Sequence, residues 1–195
     1  MSSFTPVGWW DDGVHPLSQA NMKTVDQGLI DAHRGWRPIT TGSLDTATNT
    51  IDISVPAGFA MLRLHVAGRL SGGVANVGVR VNPPTSLDHR WVFDELSGDG
   101  RTSYAGTSSS ANVTRWGTVV QNPLTVHFLD TTGRCVYLAD GGRISDTESI
   151  RSRTVGSGSL TASATITVLR VVSNLNFQSG SGALGTSWVL EGYRS

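Results

Sequence analysis

The stretch Leu62-Arg63-Leu64-His65-Val66 decides the fold, because its apolar and polar side chains alternate without a break. Successive side chains of a β-strand point to opposite faces of a sheet, so strict alternation predicts a strand that is buried on one face only. Arg63 and His65 should therefore lie on an outer face, opposite the leucines.

The same period of two recurs along the rest of the chain. Alternating stretches occur at residues 51–55, 77–81, 124–128, 160–168 and 188–191. Paired glycines and prolines between them, such as Gly72-Gly73 and Pro83-Pro84, mark turns. Short strands with regular turn signals predict a mainly β protein, with an antiparallel, jelly-roll-like β-sandwich over residues 37–195.

One short α-helix is predicted near the N-terminus. Met22, Val25, Leu29 and Ala32 follow the a and d spacing of a helix seam. A seam this short is marginal alone in water, so it must pack on its own β domain or on copies of itself. We favour copies, which makes residues 1–36 an attachment arm and oligomerisation helix.

Two adjacent tryptophans, Trp9 and Trp10, precede this helix in a segment that offers no other large core. Each indole can bury roughly 150–250 Å² of surface. They could fold back on their own sheet or bury this area against another subunit or a neighbouring protein. We assign them to attachment, together with the helix seam.

Composition excludes several classes of partner and chemistry. The formal net charge is zero, so electrostatics gives no reason to expect nucleic acid or an anionic membrane. No signal peptide and no apolar run long enough for a membrane helix occurs, which predicts synthesis in a cytoplasm. Cys135 is the single cysteine, so an internal disulfide is impossible; we expect a buried, inert thiol in a strand.

No catalytic constellation, metal site or cofactor site is evident. The five histidines are scattered, without metal-ligand spacing. Asp94, Glu95 and Asp99 could form an acid–base pair or bind calcium, but solvated carboxylates in a turn are the favoured interpretation. We therefore predict no enzymatic activity.

Two polar, glycine- and serine-rich segments, residues 97–111 and 145–159, are predicted to be long loops. Tyr104 lies within the first, and Trp91 and Trp116 flank it. These three aromatic residues are candidates for stacking on a receptor sugar, although Trp91 and Trp116 could equally be core residues at the end of a sheet. Trp36 and Trp188 are expected in the core.

Several segments resemble minor tail and fibre proteins of long-tailed, siphovirus-like bacteriophages. The opening of those proteins is similar to Trp10-Asp11-Asp12-Gly13-Val14-His15-Pro16-Leu17, continuing to Asn21-Met22 and Ala32-His33. The domain that often follows there is similar to Val55-Pro56-Ala57-Gly58-Phe59 with Leu62-Arg63-Leu64, and the closing strand to residues 187–193. Residues 79–84 depart from the family pattern.

The resemblance implies a virion component, usually oligomeric and often trimeric, and transfers no catalytic residue. We expect a structural subunit of the tail or fibre that forms homotrimers and contacts other virion structural proteins. A host-surface glycan is a further candidate partner. One alternative is a spike or decoration protein of the capsid head with the same fold. Another, of a different class, is a glycan-binding lectin or carbohydrate-active enzyme.

Overall fold

The computed structural model describes residues 35–83, 88–97, 100–118, 121–144, 151–180 and 185–194. These residues contain twelve β-strands, all paired antiparallel, and no helix. The predicted mainly β character is confirmed. The predicted helix lies outside the described residues, as do all six residues assigned to attachment: Trp9, Trp10, Met22, Val25, Leu29 and Ala32.

The strands follow one another closely from Trp36 onward. They are β1 (Trp36–Ser43), β2 (Thr48–Ser54), β3 (Met61–Gly68), β4 (Ala75–Val81), β5 (His89–Ser97), β6 (Gly100–Ser108), β7 (Ala111–Trp116), β8 (Asn122–Phe128), β9 (Tyr137–Ile144), β10 (Arg151–Leu160), β11 (Val168–Phe177) and β12 (Ser187–Tyr193).

The strands form two sheets. The large sheet has eight strands in the order β1-β12-β3-β8-β9-β10-β5-β6, and the small sheet has four in the order β2-β11-β4-β7. Most consecutive strands change sheet, whereas β5 and β6 form a hairpin and β8, β9 and β10 a meander within the large sheet.

One hydrophobic core draws on both sheets. Leu62 and Leu64 of the large sheet and Val77 and Val79 of the small sheet have no exposed surface. They alternate with polar or small residues that point the other way, as period-two patterning requires. Each such side chain stabilises the fold by roughly 1.5–3 kcal/mol relative to leaving it in water.

Both predicted loops contain strands. Residues 97–111 include β6, which pairs with β5 along its whole length, and residues 145–159 include most of β10. Pairing with an apolar neighbour outweighs the low strand propensity of glycine and serine here. Conversely, residues 161–167, predicted as part of a strand, form a connection whose Ala164 and Ile166 N–H groups donate to the carbonyls of Gly133 and Thr131.

Candidate functional site

The candidate site is the outer face of the large sheet, meaning the side chains that point away from the core. Arg63 and His65 lie on this face, opposite the buried leucines of β3, as the alternation predicted. On the neighbouring strand β8, Thr125 and His127 face the same way. Regular alternation along each strand therefore builds one continuous surface.

An apolar stripe crosses this outer face. Among the described residues, seven large hydrophobic side chains are exposed: four belong to the outer face of the large sheet, and Leu129 and Val136 lie beside it in the connection between β8 and β9. The exception is Val74, which lies before β4. The six residues of the apolar stripe are Val92, Leu96, Leu129, Val136, Leu138 and Val155.

Val155 lies at the centre of the apolar stripe. Its direct partners on the neighbouring strands are Asp140 and Asp94. Leu138 is two residues from Asp140, and Val92 and Leu96 are each two residues from Asp94, so all three are diagonal neighbours of Val155 on the same face. A patch of this kind usually marks an interaction site, because isolated soluble domains rarely leave several aliphatic side chains together in water.

Ion pairs surround the stripe. The Arg101 guanidinium donates to the Asp94 carboxylate at 2.5 Å, and Ser103 donates to the same carboxylate at 2.6 Å. These two hydrogen bonds hold the pKa of Asp94 below its usual value. Arg153 pairs in the same way with Asp140 across β10 and β9.

An aromatic group occupies the β1 end of the outer face. Trp36 packs against His127 and Tyr193, with ring centroids 6.5 and 6.1 Å away, and the Arg63 guanidinium lies 4.8 Å above the indole. Trp36 was expected in the core, but it is half-buried on the outer face. Partial burial is the main cause of the lowered pKa of His127, followed by the positive charges of Arg63 and His65.

Glu191 links the charged side chains at this end. Its carboxylate accepts a hydrogen bond from the Arg63 guanidinium at 2.6 Å and lies 3.5 Å from Nε2 of His65. Nδ1 of His65 in turn lies 3.0 Å from the Thr125 hydroxyl. The β1 half of the face is thus aromatic and charged, and the half from β8 to β5 combines aliphatic side chains with the ion pairs of Asp94 and Asp140.

The three candidate receptor residues do not form an open platform. Trp116 has no exposed surface and packs edge-to-face on Phe177. It is a core residue and cannot stack on a receptor sugar. Trp91 and Tyr104 are half-buried and both stack on Phe93, with centroids 5.9 and 4.7 Å away. Because these rings stack on one another, much of their surface is already covered.

The adjacent carboxylates of β5 cannot act as an acid–base pair, because Asp94 lies on the outer face and Glu95 on the inner one. Glu95 is buried, accepts a hydrogen bond from Ser152 at 2.9 Å, and lies 3.3 and 3.4 Å from the guanidinium groups of Arg115 and Arg143. Both carboxylates belong to a strand and not to a turn, contrary to the favoured interpretation. Asp99 lies outside the described residues.

The thiol of Cys135 is buried, as expected, but it lies in the turn before β9, with a positive φ of 46°. Burial raises its pKa to about 11, so the reactive thiolate is scarce near neutral pH. Within the described ranges, no group of three or more histidine, cysteine or acidic side chains could hold a metal ion. No helix in this part of the chain could span a membrane.

A groove of about 560 Å³ lies where β1 and β2 approach one another, and Trp188 is part of its lining. The other lining residues are mainly apolar, among them Ile39, Ile53 and Val55. Asp52 is the acidic residue of the groove, and it accepts hydrogen bonds from the Arg170 guanidinium at 2.5 and 2.6 Å. This carboxylate is therefore already paired and offers little attraction to a charged ligand.

Comparisons with protein-family models, curated proteins and solved structures find no match for this chain. The resemblance of its sequence segments to phage tail proteins accordingly stays a prediction.

Proposed function

We propose that this chain is a non-enzymatic structural subunit of a tailed-phage particle, namely a minor tail or fibre protein. Residues 1–36 attach and oligomerise it through Trp9, Trp10 and the helix seam, and residues 37–195 display the β domain. The observation that carries this proposal is the apolar stripe of the outer face. Six exposed aliphatic side chains on and beside one sheet face favour burial against another protein of an assembly.

The strand order supports a jelly-roll sandwich within this proposal. Eight strands divide into the sets β1-β12-β3-β8 and β2-β11-β4-β7, and the connections between them repeatedly cross from one sheet to the other. Double-sheet jelly rolls occur in viral capsid and lectin domains. Because one fold serves many functions, this likeness supports a virion role without identifying it.

The placement of the acidic residues favours a structural role over glycan hydrolysis. A glycosidase needs two carboxyl groups that flank one bond at a short, defined separation. Asp94 and Glu95 lie on opposite faces of the large sheet, and each is already engaged by arginine. The domain thus offers binding surface more readily than a catalytic carboxyl pair.

Localisation in the particle tests the proposal. Purified particles of the phage that encodes this chain should contain it by mass spectrometry, and gold-labelled antibodies should bind the tail tip or fibres. Labelling of the head would favour the spike or decoration alternative. Absence from particles, combined with release of sugar from host polysaccharide by the purified protein, would contradict the structural role and favour an enzyme.

A further inference from the structure

We propose that the outer face of the large sheet is a contact surface between copies of this chain, with Val155 at its centre. The proposal deepens the proposed function, and it rests on that function in taking the chain to be a subunit of an assembly. Copies would then meet at two places, through the N-terminal arm and through the outer face of the β domain.

The chemistry of the apolar stripe favours a protein partner. Val92, Leu138 and Val155 are 42%, 48% and 42% exposed, and their aliphatic side chains neither donate nor accept hydrogen bonds. A sugar would need an aromatic stacking surface, and Trp36 and Tyr193 of this face lie at its other end, near β1. Aliphatic side chains gain most by meeting other aliphatic side chains, because this removes apolar area from water on both partners.

The charges of the outer face make it complementary to itself. The pairs Arg63–Glu191, Arg101–Asp94 and Arg153–Asp140 place equal numbers of basic and acidic side chains on neighbouring strands. A second copy would therefore bring carboxylates as well as guanidinium groups to the contact. Arg90 adds one further guanidinium to this face, so a partner with a strong charge of either sign would still meet repulsive as well as attractive groups.

The size of the face also suits a second copy. Eight strands spaced about 4.8 Å apart and about seven residues long present a face of roughly 800 Å². A stable interface buries about 800 Å² on each partner. The face as a whole is thus large enough for a specific contact, in which aliphatic side chains alternate with the ion pairs of Asp94 and Asp140.

A lysine in place of Val155 tests the proposal in the full-length chain. In Val155→Lys the new ammonium lies between Asp94 and Asp140, so it finds opposite charges within its own sheet and the fold should persist. The contact between copies should weaken about tenfold or more, because a charged group replaces its apolar centre. Sedimentation velocity over a concentration series measures this, and circular dichroism checks the fold.

Val74→Lys is the matched control, since Val74 is 41% exposed but lies outside the outer face. Leu138→Lys is a second test variant in case Val155→Lys fails to fold. The proposal predicts that the outer-face variants dissociate while Val74→Lys retains the mass of the unchanged chain.

Three outcomes would overturn the proposal. If folded outer-face variants associate as tightly as the unchanged chain over the whole concentration series, copies do not meet through this face, and the proposed function is unaffected. If these variants retain their mass but no longer enter phage particles, the face binds a different virion protein. If the unchanged chain is itself a monomer at all concentrations, both this proposal and the proposed homotrimer fail.

Discussion

The hydroxyl of Tyr137 occupies the space into which a Cβ on Gly158 would project. Gly158 and Gly156 belong to β10, next to β9, and Phe93 of β5 takes the corresponding space at Gly156. Burial raises the pKa of Tyr137, whose ring is fully enclosed. Glycines of this sheet thus provide room for aromatic rings of the core.

Gly158→Ala should destabilise the protein by about 1–3 kcal/mol, because the added methyl group overlaps Tyr137 and the Arg90 carbonyl. Urea denaturation measures the change. Gly35→Ala is the control, since a Cβ there meets no atom within 4 Å. Adding Tyr137→Phe should recover part of the loss, because it removes the overlapping hydroxyl; no recovery would contradict this explanation.

Asn82→Ala should cost about 1–3 kcal/mol in the free energy of unfolding. Asn82 has a positive φ of 51°, and its side-chain oxygen accepts hydrogen bonds from the N–H groups of Thr167 and Val168 at 2.7 and 3.0 Å. Asn82→Asp keeps the acceptor and should cost less in the same denaturation assay. Equal losses for both variants would show that these hydrogen bonds contribute little.

Glu95→Ala should cost about 3–5 kcal/mol, because it leaves the partly buried guanidinium groups of Arg115 and Arg143 without their shared carboxylate. Asp94→Ala removes the adjacent partner of Arg101 on the outer face and serves as the control, with a much smaller loss. Thermal unfolding followed by circular dichroism compares the two. A larger loss for Asp94→Ala would contradict the assignment of faces along β5.

Stability should fall in acid because of His89. This ring has no exposed surface, and burial lowers its pKa from 6.5 to about 4. The unfolded chain takes up the proton first, so the contribution of neutral His89 is complete above pH 6.5 and is lost as the pH falls to about 4. The loss is on the order of 3 kcal/mol.

Denaturation at several pH values between 7 and 4 measures this slope, and His89→Phe should flatten it. His127 also has a lowered pKa and contributes with the same sign, so His127→Gln provides the comparison. An unchanged slope in His89→Phe would show that His89 is not the group responsible.

Strands with one apolar face could be predicted from the sequence, because alternation reports burial directly. The stretches at 51–55, 62–66, 77–81, 124–128 and 188–191 all lie wholly or mainly within strands. β6, β10 and most of β9 could not, because glycines such as Gly141 and Gly156 stand where a core residue would signal a strand. β10 also pairs with β5, which lies far earlier in the chain, so this pairing leaves no local pattern.

The outer positions of His65 and His127 were foreseeable, but the apolar stripe was not. In Trp91-Val92-Phe93 both faces of β5 are apolar, so alternation disappears. A strand with two apolar faces predicts that both will be covered. The apolar run Trp91-Val92-Phe93 is visible in the sequence. It indicates an exposed apolar patch only once β5 is known to lie in a sheet whose outer face is not covered by another sheet.

The mass of the full-length chain in solution tests the central claim most directly. Sedimentation velocity at micromolar concentration should give three times the 20.7 kDa of one chain. A shortened chain that begins at Gly35 should associate more weakly while keeping its β fold. A full-length protein that sediments as one chain at every concentration would contradict the account of this molecule as an assembly subunit.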